Sequence, residues 1–118
     1  MDEVAAGLSL IGIWRTGEEH PVEVWVGKPY EQDGDWACWV SVTWAGANTV
    51  PGMDRANTRP RLHHGADAMQ ALTLGLRFVG FSLGQFIECG GQLLYPEDRE
   101  AFPMRAYFPE AWPEQGAA

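Results

Sequence analysis

Apolar and polar residues alternate along the first half of the chain, in the pattern of half-buried β-strands. Residues 8–14 (LSLIGIW) are rich in β-formers, and in residues 22–26 (VEVWV) the valines alternate with Glu23 and Trp25. The polar stretch RTGEEHP between them predicts a hairpin turn. A second turn, YEQDGD, contains an Asp-Gly pair suited to positive φ and leads into residues 36–45 (WACWVSVTWA). Together these segments predict an antiparallel meander.

After residue 67 the apolar residues recur at steps of three and four instead of two, which predicts an amphipathic helix. Asp67 and Gln70 have the spacing of a capping box in its Asp variant, and Cys89-Gly90-Gly91 supplies a stop after Glu88. We expect this helix to be the centre of the fold. Its main apolar stripe is Met69, Leu72, Leu76, Val79, Leu83 and Phe86.

Three glycines interrupt the predicted helix, and each costs about 1 kcal/mol relative to alanine. Gly80 and Gly84 are four residues apart and leave a smooth strip on one face, while Gly75 lies about one turn earlier. Close packing against the sheet would offset the cost. Contact with a second subunit through Gly80 and Gly84 is the alternative.

The segments on either side of this helix lack its periodicity. Residues 46–65 (GANTVPGMDRANTRPRLHHG) predict a long loop with three arginines, and residues 92–95 predict a short fourth strand. In residues 96–118, prolines forbid a long helix, so we expect a tail that packs on the domain and frays after Glu114. The loop arginines are Arg55, Arg59 and Arg61, and the aromatic candidates for tail packing are Phe102, Tyr107, Phe108 and Trp112.

The length of 118 residues, with 46% hydrophobic and 20% charged residues, fits one domain. The sequence therefore predicts a single α+β domain over residues 1–118, an antiparallel sheet of about four strands with one long helix packed on one face. No uncharged apolar run of about 18 residues occurs, and the amino terminus lacks the basic start of a secretory signal. We expect a cytoplasmic protein with Cys38 and Cys89 as reduced thiols.

Sixteen acidic residues against eight basic ones give a formal net charge of -8. This charge disfavours binding to nucleic acid or to an anionic membrane and suits a basic protein partner. The alternative is that the charge serves only solubility.

The strongest candidates for chemistry are His63 and His64, placed just before the helix with Asp67 close behind. They could form a small metal-binding or enzymatic site at the helix entrance. A zinc site needs three or four ligands, however, and neither a Cys-x-x-Cys nor a His-Glu-x-x-His motif is present. Cys38 falls in mid-strand on the predicted buried face, where a thiol is inert. We therefore expect no enzyme and no cofactor, with the histidine site as the alternative.

Six tryptophans are several times the ordinary usage for this length. Strand alternation predicts that Trp25 and Trp39 point away from the helix, side by side on the outer sheet face. Exposed aromatic rings among acids are typical of an interaction hot spot, unless the tail covers them. The acidic residues that we expect to steer a partner towards these rings are Glu18, Glu19, Glu23, Glu31, Asp33 and Asp35.

The order of VEVWVGKP, DGDWACWV and GADAMQALTLGLRFVGFSL resembles small bacterial domains of the immunity-protein type, in which a Gly-x-Asp-x-x-Gln-Ala-Leu helix start follows a sheet. The resemblance covers about residues 8–95 and is most specific at Gln70-Ala71-Leu72. It implies a protein that neutralises a cognate toxin by binding it, and it carries over no catalytic residues. The arginine loop has no counterpart in it. We expect the chain itself to be a monomer or a weak homodimer.

Overall fold

A computed structural model describes residues 3–47, 50–51, 53 and 59–108. Within these residues the chain forms a six-stranded antiparallel sheet, one long helix and one short helix. In chain order the elements are β1 (Val4–Ile13), β2 (Glu19–Gly27), β3 (Tyr30–Gln32), β4 (Asp35–Trp44), β5 (Arg61–Gly65), α1 (Ala68–Glu88), β6 (Gln92–Leu94) and α2 (Met104–Tyr107).

The strands β4, β2, β1 and β6 lie side by side in that order. β1 and β2 form a long hairpin, and β2 pairs with the carboxyl-terminal half of β4. At the other end of β4, Trp36 and Ala37 pair with both β3 and β5, so these two strands lie on opposite sides of β4. β6 pairs only with the last three residues of β1.

Alternate side chains of the three long strands point to the face that α1 covers, which we call the inner face. α1 lies across β4 and β5, and Phe86 packs its ring against Trp44 and Trp14 with centroids 4.3 and 5.3 Å apart. The strand residues buried in this core are Leu10, Val22, Val24, Val26, Cys38, Val40, Val42 and Trp44. The period-2 pattern in the sequence therefore identified the buried face correctly.

The ends of α1 follow the predicted capping signals. Asp67 is the N-cap, and its side chain accepts a hydrogen bond from the Gln70 backbone N–H at 2.8 Å. The Gln70 side chain accepts in turn from the backbone N–H of Ala66 at 2.6 Å, one residue before the cap. At the other end, Gly90 adopts φ of +101°, and Gly91 donates its N–H to the Phe86 carbonyl, as in a Schellman motif.

Two of the helix glycines have identified close neighbours. A Cβ on Gly75 would lie 2.8 Å from a methyl carbon of Val40, so this glycine lets the helix approach β4 closely. A Cβ on Gly80 would lie 2.8 Å from the ring of Phe108. Packing on the sheet is confirmed for Gly75, whereas Gly80 is covered by the segment after β6, which takes up the face proposed for a second subunit.

The segment after β6 packs against the inner side of the fold. Phe102 is buried, and its backbone N–H donates to the Leu93 carbonyl at 2.9 Å. Met104 is also buried, whereas Tyr107 is exposed and its hydroxyl lies 3.1 Å from that of Tyr95. This contact and burial raise the pKa of Tyr95 to about 12. Trp112 and the predicted fraying after Glu114 lie outside the described residues.

The predicted α+β class, the antiparallel sheet and the long helix are confirmed, but the predicted count of about four strands is wrong. β3 is only three residues long and lies in the stretch read as a turn. β5 occupies the end of the stretch read as one long loop, and its sequence Arg-Leu-His-His-Gly carries no apolar alternation. Both strands are specified by pairing with β4, a contact that local pattern does not encode.

In the part of the chain that the structure describes, no helix is both long and apolar enough to cross a membrane.

Candidate protein-interaction surface

The candidate surface is the sheet face opposite α1, which we call the outer face. α1 packs on the inner face, and α2 packs against α1. By strand alternation and register, the outer face comprises Gly7, Ser9, Ile11, Ile13, Glu19, Pro21, Glu23, Trp25, Tyr30, Gln32, Asp35, Ala37, Trp39, Ser41, Thr43, Leu62, His64, Gln92 and Leu94.

Trp25 and Trp39 occupy the middle of the outer face, and both are partly exposed. Trp25 lies directly opposite Ser41 across the β2–β4 pair, and Trp39 is two residues before Ser41 on the same strand. The two tryptophans are therefore diagonal neighbours, with backbones about 7–8 Å apart. The predicted placement of both rings on the face away from α1 agrees with the structure.

Two small residues, Gly7 and Ser41, pair with Trp25 on the two neighbouring strands. Ser41 is only 3% exposed although it is on the outer face, so larger side chains beside it must cover it. A Cβ on Gly7, the β1 residue paired with Trp25, would meet no atom of the Trp25 ring within 4 Å. The Trp25 ring therefore leaves the space above Gly7 open, and both indoles keep part of their surface in solvent.

Three carboxylates share the outer face with the tryptophans. Glu23 is two residues from Trp25 and accepts a 2.7 Å hydrogen bond from the Ser9 hydroxyl, which fixes it beside the ring. Glu19 lies near the β1–β2 turn, and Asp35 lies at the β3–β4 turn. These two carboxylates therefore lie towards opposite ends of the outer face.

Glu19 is engaged within the chain. Both of its carboxylate oxygens accept hydrogen bonds from Arg99, at 3.2 and 2.8 Å. The hydrogen bonds and charge of Arg99 lower the pKa of Glu19 from its ordinary value. The pair is solvent-exposed and ties the segment after β6 to the start of β2, so Glu19 is partly neutralised as a steering charge.

The remaining predicted acids do not join this surface as one patch. Glu31 alternates to the inner-face side of β3, and Asp33 lies at the tip of the β3–β4 turn with φ of +51°. Glu18 belongs to the β1–β2 turn, where its carboxylate lies 3.8 Å from Nε2 of buried His20. The sequence did not separate these acids from the others, because it did not show that residues 30–32 form a strand or where the two turns begin and end.

The three residues of the metal site predicted as an alternative, His63, His64 and Asp67, do not converge on one point. His63 points inward, with its ring 5.4 Å from that of Phe78, whereas His64 is exposed on the outer face. Asp67 is occupied as the helix cap. Within the described residues, no group of three or more histidine, cysteine or acidic side chains is placed to hold a metal ion.

His63 is instead a packing residue of the β5–α1 contact. It pairs with Cys38 on β4, and its Nε2 is buried with no hydrogen-bond partner among the described groups. Burial, and then the positive charges of Arg61 and His64, lower the pKa of His63. Burial also raises the pKa of the Cys38 thiol, which donates to the Gly27 carbonyl at 3.3 Å, in keeping with the predicted inert cysteine.

Of the three loop arginines, Arg61 lies with its guanidinium 4.7 Å from the centroid of the Phe78 ring, and Arg59 is exposed. Arg55 lies outside the described residues, so the predicted arginine cluster is placed only in part.

A family model described as "Domain of unknown function (DUF6968)" matches residues 10–104. The chain belongs to the DUF6968 family. The DUF6968 match runs from the middle of β1 to the start of α2, so it includes Trp25, Trp39 and all of α1. Searches of curated proteins and of solved structures found no match.

Proposed function

We propose that the protein is a binding domain that engages a protein partner through the outer face, with Trp25 and Trp39 as its anchors. The observation that carries this proposal is the pair of adjacent, partly exposed indoles on the face opposite the helices. Tryptophan is enriched at interaction hot spots, because a large rigid ring buries much apolar area at little entropic cost.

The charges on and around this face favour a basic partner. Glu23 is held next to Trp25 by Ser9, and Asp35 lies on the same face at the β3–β4 end. The formal charge of -8 gives the whole chain a field that attracts cations over a distance of about a Debye length. Such a field mainly raises the association rate, whereas the buried aromatic contacts set the dissociation rate.

A finer proposal rests on the resemblance to immunity-type domains. In it, the partner is a toxin or effector with a basic active surface, and binding of the outer face blocks that surface. The protein then acts in the cytoplasm as an antitoxin and needs no catalytic group of its own. The acidic charge is compatible with this role.

The test is capture of partners from lysate of the native host with wild-type protein and with the double variant Trp25→Ala/Trp39→Ala. Met69→Ala is the matched control, because Met69 is 71% exposed on α1, away from the outer face. A partner retained by the wild type and the control but lost by the double variant supports the proposal. The affinity of the purified partner should fall by about a hundredfold or more in the double variant.

Two outcomes would count against the proposal or its finer form. If the double variant binds the partner with unchanged affinity while remaining folded by circular dichroism, the outer face is not the interface. If the partner is lost as expected but the association rate does not fall with added salt, the acidic steering and the basic-toxin form are wrong.

A further inference from the structure

A notch interrupts the outer face beside Trp25. It lies above Gly7, which pairs with Trp25 across β1 and β2. Apart from the chain neighbours of Gly7, a Cβ at this position would meet only the Val24 carbonyl, at 3.7 Å. Among the described strands, β6 reaches only Ile11–Ile13 of β1, so the notch is also open at the sheet edge. A side chain from another molecule can enter this Gly7 notch and lie alongside the Trp25 indole.

A carboxylate stands at one end of the Gly7 notch. Glu23 is two residues before Trp25 on the same face of β2, about 7 Å along the strand. Its Oε2 accepts the 2.7 Å hydrogen bond from Ser9, the next outer-face residue of β1 after Gly7. Its Oε1 accepts no hydrogen bond from the described residues. The neutral Ser9 hydroxyl therefore orients the carboxylate without cancelling its charge.

Glu23 differs in this respect from two other exposed carboxylates near the outer face. Glu19 is held by Arg99 at 2.8 Å, and Glu3 lies 3.7 Å from the ammonium group of Lys28. In the described part of the chain, no cation pairs with Glu23. Its charge is therefore available to a cation that another molecule supplies.

The Trp25 ring is available to a cation in the same way. The chain places an arginine guanidinium over an aromatic ring twice, Arg15 over Trp14 and Arg61 over Phe78, each 4.7 Å from the ring centroid. Of the residues that the structure describes, none places a cation over Trp25. An aromatic ring attracts a cation to its face, and a carboxylate beside the ring strengthens that attraction.

We propose that the Gly7 notch receives an arginine side chain of the protein partner, with its guanidinium stacked on Trp25 and hydrogen-bonded to Glu23. The aliphatic stem of the arginine lies above Gly7. Arginine suits this place better than lysine, because its guanidinium is flat, is weakly hydrated and offers several N–H donors in one plane. This inference rests on the proposed function and names the side chain that the outer face recognises.

The test uses the tripeptide acetyl-Gly-Arg-Gly-amide as the probe, titrated at low salt into the full chain. The same peptide with citrulline keeps the shape of arginine but is neutral, and a third peptide carries lysine. The readout is the NMR shift of the Trp25 indole N–H, with circular dichroism to check folding. A saturable shift gives the dissociation constant of each peptide.

Two variants change the Gly7 notch in different ways. Gly7→Val fills it, and the space around the Cβ position together with the strand preference of valine should keep the fold intact. Glu23→Gln removes the charge but keeps an oxygen that can accept from Ser9. Glu88→Gln is the matched control, because it removes the same charge from an exposed position at the end of α1, which packs on the inner face.

We expect the citrulline peptide to bind at least about tenfold more weakly than the arginine peptide, and the lysine peptide to fall between them. Glu23→Gln should raise the dissociation constant of the arginine peptide at least about threefold, and Gly7→Val should abolish the shift, whereas Glu88→Gln should bind like the wild type. Equal binding of the citrulline or lysine peptide, or wild-type binding by Gly7→Val and Glu23→Gln, overturns the inference.

The captured partner separates this inference from the proposed function. A partner that is lost in the double tryptophan variant but binds Gly7→Val and Glu23→Gln as tightly as wild type overturns the arginine site and leaves the outer face as the interface. A partner that binds the folded double tryptophan variant with unchanged affinity overturns both.

Discussion

Leu83 and Leu76 lie two turns apart on α1 and provide a matched test of how the helix packs. Leu83 is fully buried, whereas Leu76 is 39% exposed. Leucine to alanine removes three carbon atoms, worth about 2.4 kcal/mol of transfer free energy at about 0.8 kcal/mol each. At Leu83 the cavity adds to this loss, so we expect Leu83→Ala to lower the free energy of unfolding by about 3–4 kcal/mol.

Leu76→Ala should cost less for two reasons. About three-fifths of its side chain is buried, which reduces the transfer loss to about 1.5 kcal/mol, and the space that it leaves is open to solvent. Urea unfolding followed by circular dichroism measures both variants, with an unchanged dependence on denaturant concentration as the sign of two-state behaviour. Equal losses at the two positions, or a larger loss at Leu76, would refute the packing of α1 described above.

Two further predictions concern the entrance to α1. Asp67→Ala should lower the free energy of unfolding by about 1 kcal/mol, because it removes the helix cap. Asp67→Asn keeps a capping oxygen and should lose much less. Equal losses for the two variants in urea unfolding would contradict the capping role. His63 has a lowered folded-state pKa, so the stability that its neutral form contributes is complete above about pH 6.5 and is lost as the pH falls through the folded-state pKa. The pH dependence of unfolding should therefore be weaker in His63→Leu than in the wild type or in His64→Leu, and identical pH profiles would exclude this role.

The elements that the sequence predicted well have strong local signals. The valines of β2 and β4 repeat with a period of two, and the apolar stripe of α1 repeats every three or four residues between an Asp cap and a Gly-Gly stop. Each signal reflects a side-chain geometry that the backbone conformation itself imposes. The buried faces of β2 and β4 could therefore be read without knowing what packs on them. On α1 the prediction was right only in part, because Val79, Leu83 and Phe86 of the stripe are buried whereas Met69 and Leu76 are exposed.

The candidate surface was predictable in part for the same reason. Alternation placed Trp25 and Trp39 on one face, and the structure agrees. The predicted acidic group includes Glu31, which the register of β3 with β4 places on the opposite face. The ion pair of Glu19 with Arg99 joins positions 80 residues apart, and no local pattern carries that information.

The sequence by itself determined the long strands, the long helix, its two caps and the strong negative charge, since each depends on neighbours within a few residues. Only the tertiary structure decided that residues 61–65 form a strand, that His63 and His64 face opposite ways, and that Gly80 receives Phe108. The first two features arise because β5 pairs with the free side of β4. The third arises because the segment after β6 packs against α1. Such contacts are stabilised by packing and hydrogen bonds between segments that are far apart in the sequence. They form only in the assembled domain, so the local sequence pattern does not reveal them.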